Sequence, residues 1–213
     1  PYSRTDSFSF CSFCSFCSFL VQGLQPLVSA EGVLDAIDFT FVPWGNAYFN
    51  TSSCGVSEFS KDAMFCWVKE CNVASPADDC FNSTLSPILC QHGDDECKED
   101  TIEGCAFAVA DDQKDALAFL YCFEGIQMSD LDSVDKCAQK SNIDATKLHT
   151  CANGEQGQQI DIKNAVKTTK LGSTKLGTPW VVVNGEYVQD PMKLLSSVCD
   201  AISGDKPPGC SNL

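Results

Sequence analysis

The chain has 213 residues, 44% of them hydrophobic, with a formal net charge of −15. That length and apolar content bury one substantial core, or a core with a large inserted subdomain, whereas the acidic balance excludes nucleic acid and anionic lipid surfaces, which demand an excess of Lys and Arg. Fifteen cysteines exclude an ordinary reducing compartment and point to disulfides formed in an oxidising lumen or outside the cell.

Residues 7 to 19 read SFSFCSFCSFCSF, and their alternation predicts a first strand reaching to about Phe13. From Phe19 to about Ile37, Leu20, Leu24, Leu27, Val28, Val33 and Leu34 recur at roughly helical spacing, interrupted by Gly23, Pro26 and Gly32, so a kinked helix follows. Residues 38–43, DFTFVP, are β-branched and aromatic and give a second strand. Residues 45–90 read as loop, with Cys54, Cys66, Cys71 and Cys80 forming two local staples. From 97 to about 170 the pattern is helical, with segments at 101–109, 113–123, 129–140 and 158–168, and Ala116, Leu117 and Leu120 point inward. Thr178-Pro179 precede a strand, Trp180-Val181-Val182-Val183; Asn184-Gly185 signal a hairpin into Glu186-Tyr187-Val188. A last helix spans about 191–203, with Met192, Leu194, Leu195, Val198 and Ile202 on its buried side. No run of about 18 apolar residues occurs, so no membrane span is expected. The opening residue is Pro1, and no charged head with an apolar stretch precedes the fold, so a signal peptide is expected to have been removed already.

A β-α-β start, a helical middle and a β-hairpin-helix ending is the element order of a thioredoxin-like fold interrupted by an insertion. The expected organisation is one domain, with a core from residues 1–47 and 176–213 and a cysteine-rich, mainly helical insertion over 48–175.

Chemistry concentrates at the strand-helix junction. Cys11-Ser12-Phe13-Cys14 and Cys14-Ser15-Phe16-Cys17 are two overlapping C-x-x-C units. The unpaired N–H groups at a helix N-terminus stabilise a thiolate, so the first cysteine of such a pair attacks a disulfide and the second, one turn on, resolves the mixed disulfide. Cys14 is the favoured nucleophile and Cys17 the resolving thiol, because Cys17 lies closest to the helical pattern; the Cys11/Cys14 register is the alternative. A structural disulfide is the bland reading. Zinc is disfavoured, since His92 and His149 are the only histidines and no second C-x-x-C completes a four-ligand site. In thioredoxin-like folds a cis-proline at the place of Pro179 packs beside the reactive pair, and the backbone of its predecessor, here Thr178, pairs with an extended substrate. Two sequons, at Asn50 and Asn82, are candidate glycosylation sites.

The segment Cys90-Gln91-His92-Gly93-Asp94-Asp95-Glu96-Cys97, with Cys105 following, resembles the C-Q-H-G-x-x-E-C-x-x-N-x-x-x-x-C signature of the gamma-interferon-inducible lysosomal thiol reductase family, with Asp100 in place of its Asn. Val42-Pro43-Trp44-Gly45-Asn46-Ala47 is similar to a P-Y/W-G-N-A segment of that family, and Thr178 to Gly185 to its P-W-V-x-V-N-G segment. The order of Cys122, Cys137, Cys151, Cys199 and Cys210 implies a shared disulfide framework. After Cys17 only Ser18 precedes Phe19, one residue fewer than the family places there.

The resemblance implies a thiol-disulfide oxidoreductase of a lysosome-like or extracellular compartment. It would reduce disulfide-containing protein substrates, take electrons from a small thiol or protein donor, and need no bound cofactor. The signature segment itself reads as architecture: two half-cystines, a turn glycine and a capping carboxylate. A reading from another class is a stapled interaction subunit that keeps the fold without turnover and offers the Phe/Ser run to a partner protein.

Overall fold

The computed structural model describes residues 6–10 through their backbone, and residues 23–125, 131–172 and 177–211, the side chains of 131 and 132 excepted. It is a helix-rich α/β structure with small sheets and many disulfides. The main sheet has the order β2-β1-β5-β6. Strand β1 (Asp6–Phe10) runs parallel to β2 (Phe39–Pro43) and antiparallel to β5 (Trp180–Val183), which continues into β6 (Glu186–Tyr187). Helix α1, described over residues 23–29, joins β1 to β2 as a parallel crossover requires. Asn184 and Gly185 both have positive φ, 49° and 88°, the backbone that a two-residue hairpin matched to strand twist needs.

One side of the sheet is closed by α1, by α4 (Gln113–Glu124) and by α8 (Leu194–Ala201), with Leu27, Phe41, Leu120, Val181, Leu194 and Val198 at its centre. Alternation explains the strands, since Val181 and Val183 are buried on this face while Val182 is only half-buried. Helix α1 ends earlier than its hydrophobic pattern suggests: Gly32 takes φ +73°, and residues 34–36 form a 3-10 turn. The expected inward Met192 is half exposed. It falls in the 3-10 turn Pro191–Lys193 ahead of α8, whose tighter winding rotates it away from the stripe of Leu194 and Val198.

Residues 45–90 hold more structure than the loop expected of them. Strands β3 (Tyr48–Phe49) and β4 (Ile88–Leu89) form an antiparallel pair, and α2 (Lys61–Cys71) packs on β3. Ser60 caps α2, its Oγ accepting from the Ala63 N–H at 3.5 Å. Ala63, Trp67 and Cys71, one turn apart, turn inward against Trp44, Tyr48 and Phe49. Trp67 is fully buried, and its indole N–H donates to the Cys80 carbonyl at 3.0 Å. The staples are Cys54–Cys66 and Cys71–Cys80.

The long helical stretch comprises α3 (Asp94–Val109), α4, α5 (Leu131–Lys140), α6 (Ala145–Ala152) and α7 (Glu155–Thr169). Helix α3 is its hub, bridged to α6 by Cys105–Cys151, while Cys122–Cys137 ties α4 to α5. Gly104 permits the close approach of α3 to α7 and β2, because a Cβ there would lie 2.6 Å from the Ile160 side chain and 3.4 Å from that of Pro43. Asn164 of α7 fixes the same junction, donating to the Pro43 carbonyl at 3.1 Å. Among the described residues no helix is long and apolar enough to cross a membrane.

Candidate active site

Three strand ends meet at one edge of the main sheet. Phe10 of β1 lies beside Pro43 of β2, and Ser9 lies opposite Trp180 of β5. The parallel strands β1 and β2 therefore both run out where the antiparallel β5 begins. Thr178 and Pro179 stand immediately ahead of β5, both half-buried, and the peptide between them is cis. Trp180 stacks on Tyr187 across the hairpin, with ring centroids 4.1 Å apart. Cys11, Cys14 and Cys17 follow Phe10 in sequence and lie outside the described residues.

Six disulfides consume twelve of the fifteen cysteines: besides the four above, Cys90 pairs with Cys97 and Cys199 with Cys210. The three cysteines that remain are those of the opening repeat. Every cysteine among the described residues is already bonded to another.

The segment 90–97 is built as architecture. Cys90 and Cys97 close a short loop, Gly93 takes φ +98°, and Glu96, in the first turn of α3, accepts from the His92 backbone N–H at 2.6 Å, with His92 Nδ1 3.3 Å away. This contact ties His92, the loop residue just before the N-cap Gly93, to the first turn of α3. Gln91 joins the segment to the end of β2, its Oε1 accepting from Asn46 Nδ2 at 2.7 Å. The two motifs, whose linked residues are 45 apart in sequence, are thus joined.

Sequence reasoning missed a set of buried carboxyls on α3 and its neighbours. Glu96, Glu99, Asp100 and Glu103 recur at helical spacing on one face of α3, each no more than 4% exposed. Burial pushes Glu99 up to about 7, helped by the carboxylates of Glu124, Asp95 and Glu96. Burial likewise raises Asp161 on α7 to about 7, against a hydrogen bond from Thr101, and raises Glu124. The i, i+3, i+4, i+7 stripe was a readable signal, although acidic stripes ordinarily face water. Among the described residues no three His, Cys, Asp or Glu side chains are grouped as metal ligands.

The sequons differ in setting. Both polar atoms of the Asn50 side chain are engaged by Val56, Nδ2 donating to its carbonyl at 2.9 Å and Oδ1 accepting from its N–H at 3.0 Å. Asn82 lies in a turn, with only Oδ1 engaged, by the Thr84 N–H at 3.0 Å.

Comparison with known proteins agrees with this framework. Residues 73–141 match the family described as Gamma interferon inducible lysosomal thiol reductase. The chain is 31% identical over 121 residues to a gamma-interferon-responsive lysosomal thiol protein of Arabidopsis thaliana, covering 55% of this chain and 50% of that one. It is 29% identical over 188 residues to the gamma-interferon-inducible lysosomal thiol reductase of Mus musculus, covering 85% and 61%. The protein of the same name from Carassius auratus is 30% identical over 145 residues, covering 64% and 55%. The chain thus spans between half and about three fifths of the length of these relatives. The matched segment, the shared motifs and these relatives together support membership of the gamma-interferon-inducible lysosomal thiol reductase family.

Proposed function

We propose that the chain is a thiol-disulfide oxidoreductase that reduces protein disulfides through Cys14 and Cys17, on a thioredoxin-like core of residues 1–47 and 176–213 with residues 48–175 inserted. The sheet order β2-β1-β5-β6, with β1 and β2 parallel and the hairpin antiparallel, supports that core. The observation that carries the reading is the cysteine inventory: twelve sulfurs are committed to bridges, and the three left over come after β1 in sequence, a strand whose Ser9 lies opposite Trp180, the residue that follows cis-Pro179.

In this mechanism the Cys14 thiolate attacks one sulfur of the substrate disulfide, forming a Cys14–substrate bond and releasing the other substrate sulfur as a thiolate. Cys17 then attacks the Cys14 sulfur, releasing the second substrate thiol and leaving a Cys14–Cys17 disulfide. Two electrons pass to the substrate, and a small thiol or protein donor restores the pair. Thr178 and Pro179 form the ledge on which the extended substrate backbone pairs. The dense disulfides and the relatives' names support a lumenal site of action, lysosome-like or extracellular.

Insulin-disulfide reduction at pH 4.5 and 7 tests the proposal. The native chain is expected to reduce insulin, and Cys14→Ser to abolish the reaction while Cys11→Ser retains it. Loss in Cys11→Ser with retention in Cys17→Ser would move the pair to Cys11 and Cys14. Equal and negligible rates in the native chain and Cys14→Ser would favour a stapled interaction subunit, the reading to which the shortened spacing between Cys17 and Phe19 points.

A further inference from the structure

A hollow of about 90 Å³ opens at the same sheet edge. Its walls come from Gly45 to Ala47, directly after β2, from Gly177, directly before the cis peptide, and from Lys61, Met64, Phe65 and Val68 of α2. Phe65 is 53% exposed although large and aromatic, while Met64 and Val68 are half-buried. Helix α2 turns Ala63, Trp67 and Cys71 into the core; Met64 and Val68 pack along the rim of that core and, with the exposed Phe65, form an apolar wall of the hollow. The Cys54–Cys66 and Cys71–Cys80 bridges anchor α2 at its middle and its end.

We infer that this hollow is a substrate subsite, which holds an apolar side chain next to the cysteine under attack and gives the enzyme a preference for disulfides in apolar, extended sequence. The inference rests on the proposed function and adds its substrate class. The occupant follows from continuity along the chain. A strand laid on Thr178 and Pro179 directs alternate side chains to opposite faces, and the residue lining the hollow on that side, Gly177, is peptide-bonded to Thr178. Gly177 lacks a side chain, and among the described residues an added Cβ would meet nothing within 4 Å. The walls suit a leucine or methionine side chain, because carbon lines them on the α2 side and the charge of Lys61 rides on an aliphatic stem.

The test uses the full, pre-reduced chain in single turnover. Two peptides carry one cysteine as a mixed disulfide with nitrothiobenzoate, flanked on both sides by leucine or by serine; the mixed disulfide of N-acetylcysteine is the small control. Attack on the peptide sulfur releases the coloured thiolate. The leucine peptide is expected to react at least tenfold faster than the serine peptide. Phe65→Ser is expected to remove most of that preference without changing the control rate, and Phe65→Leu to restore it. Equal rates for the two peptides, or a Phe65→Ser variant that slows peptides and control alike, would overturn the subsite while leaving the reductase intact. If the control itself does not react, the functional reading has failed. Fluorescence anisotropy of the labelled leucine peptide then decides the subsite, which stands if Phe65→Ser weakens binding about fivefold and falls if binding is absent or unchanged.

Discussion

Asp161 ties the stability of the fold to pH, and replacing it by asparagine isolates the effect. Its Oδ2 lies 3.0 Å from Thr101 Oγ1, which is also 2.9 Å from the Cys97 carbonyl. A hydroxyl has one proton; if Thr101 gives it to Cys97, Asp161 must hold its own proton and donate. That agrees with the rise from 3.8 to about 7 caused by burial. Between these values the folded chain binds more protons than the unfolded chain, so stability falls as pH rises. One pKa unit is worth about 1.4 kcal/mol, so full ionisation costs about 4 kcal/mol as a ceiling, roughly half of it between pH 5 and 7. Asparagine mimics the protonated acid in shape and donor capacity, so Asp161→Asn removes the penalty. For a chain of this size about 2 kcal/mol corresponds to a Tm change of about 4–8 °C. Scanning calorimetry of both proteins at pH 5 and 7 is expected to show the Tm difference between variant and native chain shifting in the variant's favour by about that amount from pH 5 to pH 7. A variant destabilised equally at both pH values would refute the reasoning.

Removing the Cys105–Cys151 bridge with a double serine variant frees a loop of 46 residues between its ends and is expected to cost about 4 kcal/mol by chain entropy, read as a lowered urea midpoint; an unchanged midpoint would contradict the hub role of α3. Glycopeptide mapping of the chain expressed through a secretory pathway is expected to find sugar at Asn82 and not at Asn50, whose amide is held at both ends by Val56. Full occupancy of Asn50 would show that this clasp forms only after folding.

The parts of the fold legible in the sequence are those in which local chemistry and tertiary packing agree. Asn184-Gly185 announced the hairpin because few other dipeptides take positive φ twice, and Leu117 and Leu120 lie inside as their spacing required. Cys54, Cys66, Cys71 and Cys80 form two self-contained bridges as their even number suggested. Helix α2 was hidden because Ala63, Trp67 and Cys71 make a stripe of unlike residues, flanked by Gly, Ser and Asn and disturbed by the exposed Phe65. The first turn of α3 was hidden by its acids: Asp94, Asp95 and Glu96 suit a helix N-terminus, yet in a linear reading they resemble a solvated loop. The spacing of Glu96, Glu99, Asp100 and Glu103 marks one helix face, but which way that face turns is decided by the packing of α3 against its neighbours, which also takes Asp161 from water. The cis peptide ahead of β5 was legible from the position of Thr178-Pro179, whereas helix α2 beside the end of β2 was not.

Trapping the covalent intermediate tests the central claim most directly. Cys17→Ser, incubated with a disulfide-bonded substrate and digested without reduction, is predicted to yield a peptide in which Cys14 is bonded to a substrate cysteine, and the same experiment with Cys14→Ser to yield none. Recovery of no substrate adduct at any of Cys11, Cys14 or Cys17 would contradict the account.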